Sequence, residues 1–153
     1  MLRKRSTTTK KSFLCLIVSN GGLLLRNRQG IWEAIGGSVG EHESPQQAAT
    51  RQLYEKYGLV INGISLIGEI FMVFDKDPSS NEQIFVFKSS DFSVIRQNEE
   101  TNWKKAEELG TLKMPEHYGL WLPKAINEQK FKCIFYFDSH ERMHMLKYSI
   151  EAL

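Results

Sequence analysis

GSVGEHESPQQAATRQLYEKYGL, from Gly37 to Leu59, is the stretch on which the fold turns. Gly36-Gly37 opens a loop that continues to Glu43. Ser44 is a good N-cap, because its hydroxyl can accept from an amide left orphaned in the first turn. Pro45 sits at the first helical position, where its missing N–H costs nothing. The pattern predicts a helix over about Pro45 to Tyr57, stopped by Gly58 in a left-handed conformation. Ala49, Leu53 and Tyr57 recur at i, i+4, i+8 and form the stripe that packs inward, leaving Tyr54 on the surface. Gln52, Glu55 and Lys56 are spaced i, i+3, i+4, so their backbone positions share another face of that helix.

Upstream, Phe13 to Val18 is a continuous apolar run, Asn20-Gly21-Gly22 tolerates positive φ, and Leu23 to Leu25 follows, which predicts a hairpin. Downstream, strand-like runs at Ile64–Phe74 and Ile84–Phe87 are separated by the turn-rich residues 75–81. Asn98 to Glu108 is charged, with Trp103 and Leu109 as its apolar anchors. Tyr118 to Gln129 reads as a second helix with Pro123 in its first turn. Phe131–Phe137 and Met143–Ile150 alternate as a closing hairpin across Asp138-Ser139-His140. Two helices among mostly antiparallel strands give an α+β layered domain.

The bulk properties agree. A chain of 153 residues, 41% hydrophobic, is one folded domain without repeats or linkers. The net charge of +2 excludes no ligand class. Much of the excess lies in Arg3, Lys4, Arg5, Lys10 and Lys11, so residues 1–11 read as a basic, solvated tail and residues 12–153 as the domain. No signal-peptide core and no bilayer-length apolar run is present, which argues against a membrane partner. Cys15 and Cys133 each sit inside apolar runs and read as buried thiols of a reducing, cytoplasmic compartment rather than a disulfide. His140 and His144 are i, i+4 but in a strand-like segment, where that spacing spans roughly 13 Å, so they read as surface histidines.

The glycine loop and helix also resemble the Nudix box, G-x5-E-x7-R-E-U-x-E-E-x-G-U, with U a bulky aliphatic residue. Gly37, Glu43, Arg51, Leu53, Glu55, Gly58 and Leu59 match at the right spacing. Gln52 and Lys56 stand where the box has glutamates. The resemblance implies a Nudix fold, with mixed and antiparallel sheets sandwiched between helices. It also implies a nucleotide pyrophosphohydrolase in which helix carboxylates and the Gly36 carbonyl hold Mg²⁺ or Mn²⁺ through hard oxygen ligands. Arg51 would orient the glutamates, Glu43 would brace the loop, and a further ligand is implied at Glu99 or Glu100.

Trp32-Glu33-Ala34-Ile35-Gly36-Gly37 is similar to the family's W-x-x-P-G-G approach. Trp121-Leu122-Pro123 and the strand after it look like the subgroup that hydrolyses oxidised purine nucleoside triphosphates. That likeness implies a base pocket lined by Glu33, Met72, Phe74, Pro115, His117 and Tyr118, with Gly36 and Gly37 facing the ligand. Pro115, His117 and Tyr118 replace the subgroup's Trp and Asp pair, so the architecture carries over and the substrate does not. For Trp32 and Trp121, core packing is the first reading and pocket lining the second.

The departures in the box bear on chemistry. Gln52 keeps one acceptor oxygen but no charge, and Lys56 places an ammonium where a metal wants an anion. At ~4 Å and an effective dielectric of ~20, each unit charge is worth roughly 4 kcal/mol before screening. Glu55, Arg51, Gln52 and Lys56 are the candidate catalytic residues, and Glu55 the surviving helix ligand. Two functions follow: a hydrolase of a nucleoside diphosphate-linked substrate with weakened metal dependence, or an impaired nucleotide-binding or regulatory protein. In the second, Lys56 could contact a phosphate directly. Nucleic-acid binding through the basic tail is the weakest alternative.

Overall fold

The protein is described by a computed structural model covering residues 9–139 and 144–153. In chain order its strands are β1 (Lys10–Ser19), β2 (Gly22–Arg28), β3 (Ile31–Ser38), β4 (Leu59–Phe74), β5 (Glu82–Val94), β6 (Thr101–Lys105), β7 (Phe131–Phe137) and β8 (Met145–Ala152). Helix α1 is Pro45–Tyr57 and helix α2 is Tyr118–Ile126, with 3-10 turns at Pro78–Ser80 and Ala106–Thr111. Among the described residues no helix is long and apolar enough to cross a membrane.

The strands form one eight-stranded mixed sheet in the order β6-β2-β3-β1-β5-β4-β7-β8. The predicted hairpin is present as β1–β2, with Val18 opposite Leu23, and Asn20 and Gly21 at positive φ. β1–β5 and β4–β7 are parallel pairs, which sequence periodicity does not distinguish from antiparallel ones. The sheet separates two apolar clusters. One, under α2, includes Ile70, Trp121, Phe131 and Phe135; the other, under α1, includes Phe13, Cys15, Ile35, Leu53 and Tyr57. Trp121 is wholly buried and Cys15 and Cys133 are buried free thiols, in keeping with the core readings.

Helix α1 begins and ends where its residues require. The Ser44 hydroxyl accepts from the Gln47 N–H at 3.0 Å, and Gln47 Oε1 accepts from the Ser44 N–H at 2.8 Å, a reciprocal capping box. Gly58 stops the helix at φ 67°, ψ 30°. Leu53 is wholly buried, which contributes about 2 kcal/mol of apolar burial. The last carbonyls are satisfied from the loop after β5: Arg96 Nη2 donates to Glu55 O at 2.7 Å and Asn98 Nδ2 to Lys56 O at 2.9 Å.

Several expectations need correction. Lys10 and Lys11, assigned to the tail, lie in β1, where Lys10 and Lys11 register with Glu82 and Gln83. Arg3, Lys4 and Arg5 lie outside the described residues. β4 and β5 run well beyond their apolar segments, to Leu59 and to Val94, because a backbone ladder does not require continuous apolar burial. Helix α2 ends at Ile126 rather than Gln129, and Pro123 is its sixth residue, in the second turn. Trp103 is not a buried anchor: it is 43% exposed and stacks on Phe92 with centroids 5.9 Å apart. Leu109 does pack against the α2-side core. β7–β8 form the closing hairpin, but β8 starts at Met145; His144 is exposed and His140 lies outside the described residues.

Candidate active site

A cavity of about 410 Å³ opens between the ends of β1, β2 and β3, the C-terminal half of α1 and the start of α2. Its lining includes apolar Phe13, Leu14, Met72, Ile84 and Pro115, with His117 and Tyr118. It also includes the charged Lys10, Arg26, Arg28, Lys56, Glu33 and Glu82. Strand alternation explains the grouping, since Lys10, Ser12 and Leu14 on β1 and Arg26 and Arg28 on β2 each recur every second residue.

The glycines make room for the helix. A Cβ on Gly36 would run into the Phe13 carbonyl, and one on Gly37 into the Gln52 side-chain oxygen. Gln52, 9% exposed, lies pressed against β3, and its Nε2 donates to the Ser38 carbonyl at 2.6 Å. The three helix positions therefore part company. Gln52 clamps the glycine strand, Lys56 alone lines the cavity, and Glu55 turns outward to Arg51, Oε1 to Nη1 3.3 Å. Arg51 also holds Glu43 at 2.9 Å, and Glu43 accepts from the Gly40 N–H, so Glu43 braces the loop. Hydrogen bonds from Arg51 first, and then from Gly40, hold the Glu43 carboxyl below its usual range.

On the opposite wall Glu33 accepts from Arg26 at 3.2 Å and lies 3.8 Å from Arg28. Arg26 Nη1 donates to the Tyr57 hydroxyl at 3.1 Å, while its Nε is buried without a hydrogen-bond partner among the described residues. Glu82 accepts from the Ser12 hydroxyl at 2.6 Å. The Tyr118 hydroxyl accepts from the Ala34 N–H at 3.0 Å. Burial pushes its pKa up, so it remains neutral. Burial also pushes His117 down to about 4, leaving a neutral ring at pH 7. Its Nδ1 accepts from the Trp121 indole at 3.1 Å, which assigns the proton to Nε2 and makes His117 a neutral donor.

Of the expected ligand-facing residues, Gly36, Gly37, Glu33, Met72, Pro115, His117 and Tyr118 line this cavity. Phe74 does not: it stacks on Phe137, its register partner, with centroids 5.2 Å apart, and is sealed into the core. Trp32 is absent from the wall too; it packs on the core and carries the Lys104 ammonium over its ring at 4.5 Å. Glu99 and Glu100 form an exposed turn tied to β2 by the Asn27 N–H to Glu100 carbonyl bond, 2.9 Å. That tie sets Glu100 within electrostatic reach of Arg26 and of Tyr57 on α1. Lys10, Ser12, Arg26, Arg28 and Glu82 were not anticipated as site residues. The alternation of Arg26 and Arg28 was the available signal.

The NUDIX domain family matches residues 8–137, most of the chain. The chain belongs to the Nudix family. Over 142 residues this Nudix domain is 25% identical to the oxidized purine nucleoside triphosphate hydrolase of Danio rerio, covering 88% of this chain and 90% of that protein. A MutT protein from Bacillus halodurans superposes with a TM-score of 0.81 at 22% identity, covering 93% and 97% of the two chains. The Nudix domain of Shewanella oneidensis NrtR, solved with ADP ribose, superposes at 0.61 with 15% identity over 78% and 88%. These structural likenesses establish the α+β Nudix fold.

The side chains present do not fit the divalent-ion site that the family resemblance implies. Among the described residues no three His, Cys, Asp or Glu groups converge as ligands. The Gln52 amide is committed to a carbonyl, Glu55 to Arg51, and Lys56 brings positive charge to the cavity wall. A hard dication needs several oxygen donors in one place.

Proposed function

We propose that this Nudix domain takes a nucleoside diphosphate derivative into the Arg26–Lys56 cavity. Its metal-dependent hydrolysis of that ligand is weakened to the point where binding is the larger part of its function. Lys56 carries the reading: of Gln52, Glu55 and Lys56 it alone lines the cavity, and it is cationic. Further support comes from the cavity lining, which combines apolar side chains with cationic ones, as a base and its phosphates require. The Danio rerio relative, an oxidized purine nucleoside triphosphate hydrolase, and the NrtR domain complexed with ADP ribose support a nucleotide derivative as the ligand. Such a ligand belongs to the cytoplasmic pool, where two buried free thiols also stay reduced.

A screen of nucleoside triphosphates, dinucleotides and nucleotide sugars with Mg²⁺ and Mn²⁺ tests this, run on wild type, Lys56→Glu and a Gln52→Glu/Lys56→Glu double variant. Slow or absent wild-type turnover beside a faster Lys56→Glu or double variant is the expected outcome. Wild-type turnover equal to that of both variants removes the argument from Lys56.

A further inference from the structure

Four cations line the cavity, and two of them are unspent. Glu33 is committed to Arg26 and Arg28, and Glu82 accepts the Ser12 hydroxyl. Among the described residues neither Lys10 nor Lys56 makes an ion pair. Tyr57 joins the two sides of the basic wall: its ring lies 5.5 Å from the Lys56 ammonium and its hydroxyl accepts from Arg26. Arg26 keeps a buried Nε without a partner among the described residues, a donor aligned with no protein acceptor. Arg28 is 64% exposed and lies at the longer distance, 3.8 Å, from Glu33.

We infer that Lys56, with Arg26 and Arg28 in the same cavity lining, takes a nucleotide's phosphates without a divalent ion, so that Mg²⁺ weakens binding instead of enabling it. This rests on the cavity being the nucleotide site. A triphosphate that chelates Mg²⁺ surrenders two of its negative charges to the ion, and the complex would bring added positive charge into a cavity whose lining already carries Lys56, Arg26 and Arg28. A cationic wall binds the uncomplexed polyanion in preference. A carboxylate-lined wall does the reverse, since it needs the ion as a bridge. One substitution on α1 therefore changes the sign of the metal's effect.

The test is calorimetric titration of the full chain with an α,β-methylene nucleoside triphosphate, in excess EDTA and in excess Mg²⁺, alongside inorganic tripolyphosphate. Wild type is expected to bind the analogue in EDTA and to lose about tenfold in affinity with Mg²⁺, two charges of attraction being removed. Lys56→Glu, an exposed change that leaves the core untouched, is expected to lose at least about tenfold in EDTA and to recover with Mg²⁺. Lys56→Met should fall between the two, with little response to the metal. Tighter wild-type binding in Mg²⁺ than in EDTA overturns the inference while leaving the nucleotide site intact. Binding of tripolyphosphate but not of the nucleotide keeps the phosphate clamp and removes the nucleoside from the proposed function. Absence of binding to any probe sinks both.

Discussion

Gln52→Glu restores a carboxylate to the box, and in this chain it should destabilise the protein. Gln52 is 9% exposed and its Nε2 donates to the Ser38 carbonyl at 2.6 Å. An ionised Glu cannot donate, so two oxygens would face each other across that distance. Loss of the bond, with its partner left partly buried and unpaired, costs about 2 kcal/mol. For a domain of this size that lowers Tm by roughly 4–8 °C. The penalty depends on pH. A protonated Glu regains the donor, so the folded-state pKa of the new carboxyl is raised above its unfolded value near ~4.3. The loss is therefore absent below that pH, grows above it, and is full once pH exceeds the raised folded value. Urea unfolding in EDTA at pH 8 and at pH 4.5 reads this directly, with Gln52→Met as the comparison, which loses the bond at every pH. A Gln52→Glu curve that superposes on wild type at pH 8 would refute the assignment of Gln52 as the clamp on the glycine strand.

Other consequences follow from single contacts. Burial depresses His117 to about 4, so the unfolded chain takes up its proton first as pH falls. Stability should be unaffected above ~6.5 and decline by about 3 kcal/mol on acidification to pH 4; unfolding free energies measured across that range should lose this component in His117→Gln. Ser44→Ala removes one arm of the capping box and should cost about 1 kcal/mol in a denaturant titration, with the folded spectrum unchanged. Gly36→Ala forces a methyl into the Phe13 carbonyl across the β1–β3 pair. A loss of about 3 kcal/mol or a failure to fold is expected, and a wild-type Tm would show that β1 shifts freely.

Helix α1 was legible residue by residue because its signals are local. Ser44, Pro45 and Gly58 mark its ends through their own backbone chemistry, and Leu53 and Tyr57 mark its buried stripe through the 3.6-residue period. Family membership was legible from the same stretch, since the box is a run of contiguous spacings. Glu33, Met72, His117 and Tyr118 could be grouped only through resemblance; the fold brings them to one cavity, while Phe74 lies outside it, stacked on its neighbour across β4–β7. Lys10 illustrates the opposite failure. In sequence it belongs with a run of basic residues; in the fold its strand pairs with β5 and carries it to the cavity wall.

By itself, then, the Gly37–Leu59 stretch determined the loop, the helix, the family and the loss of two carboxylates. Only the tertiary structure decided what the replacements do. Adjacent positions on one helix face meet different surroundings: Gln52 is pinned under β3, Glu55 is drawn to Arg51, and Lys56 looks into the cavity with Arg26 and Arg28 from a strand some thirty residues earlier. Helical spacing sets the direction of a side chain, but the partner that it meets is brought by long-range strand pairing.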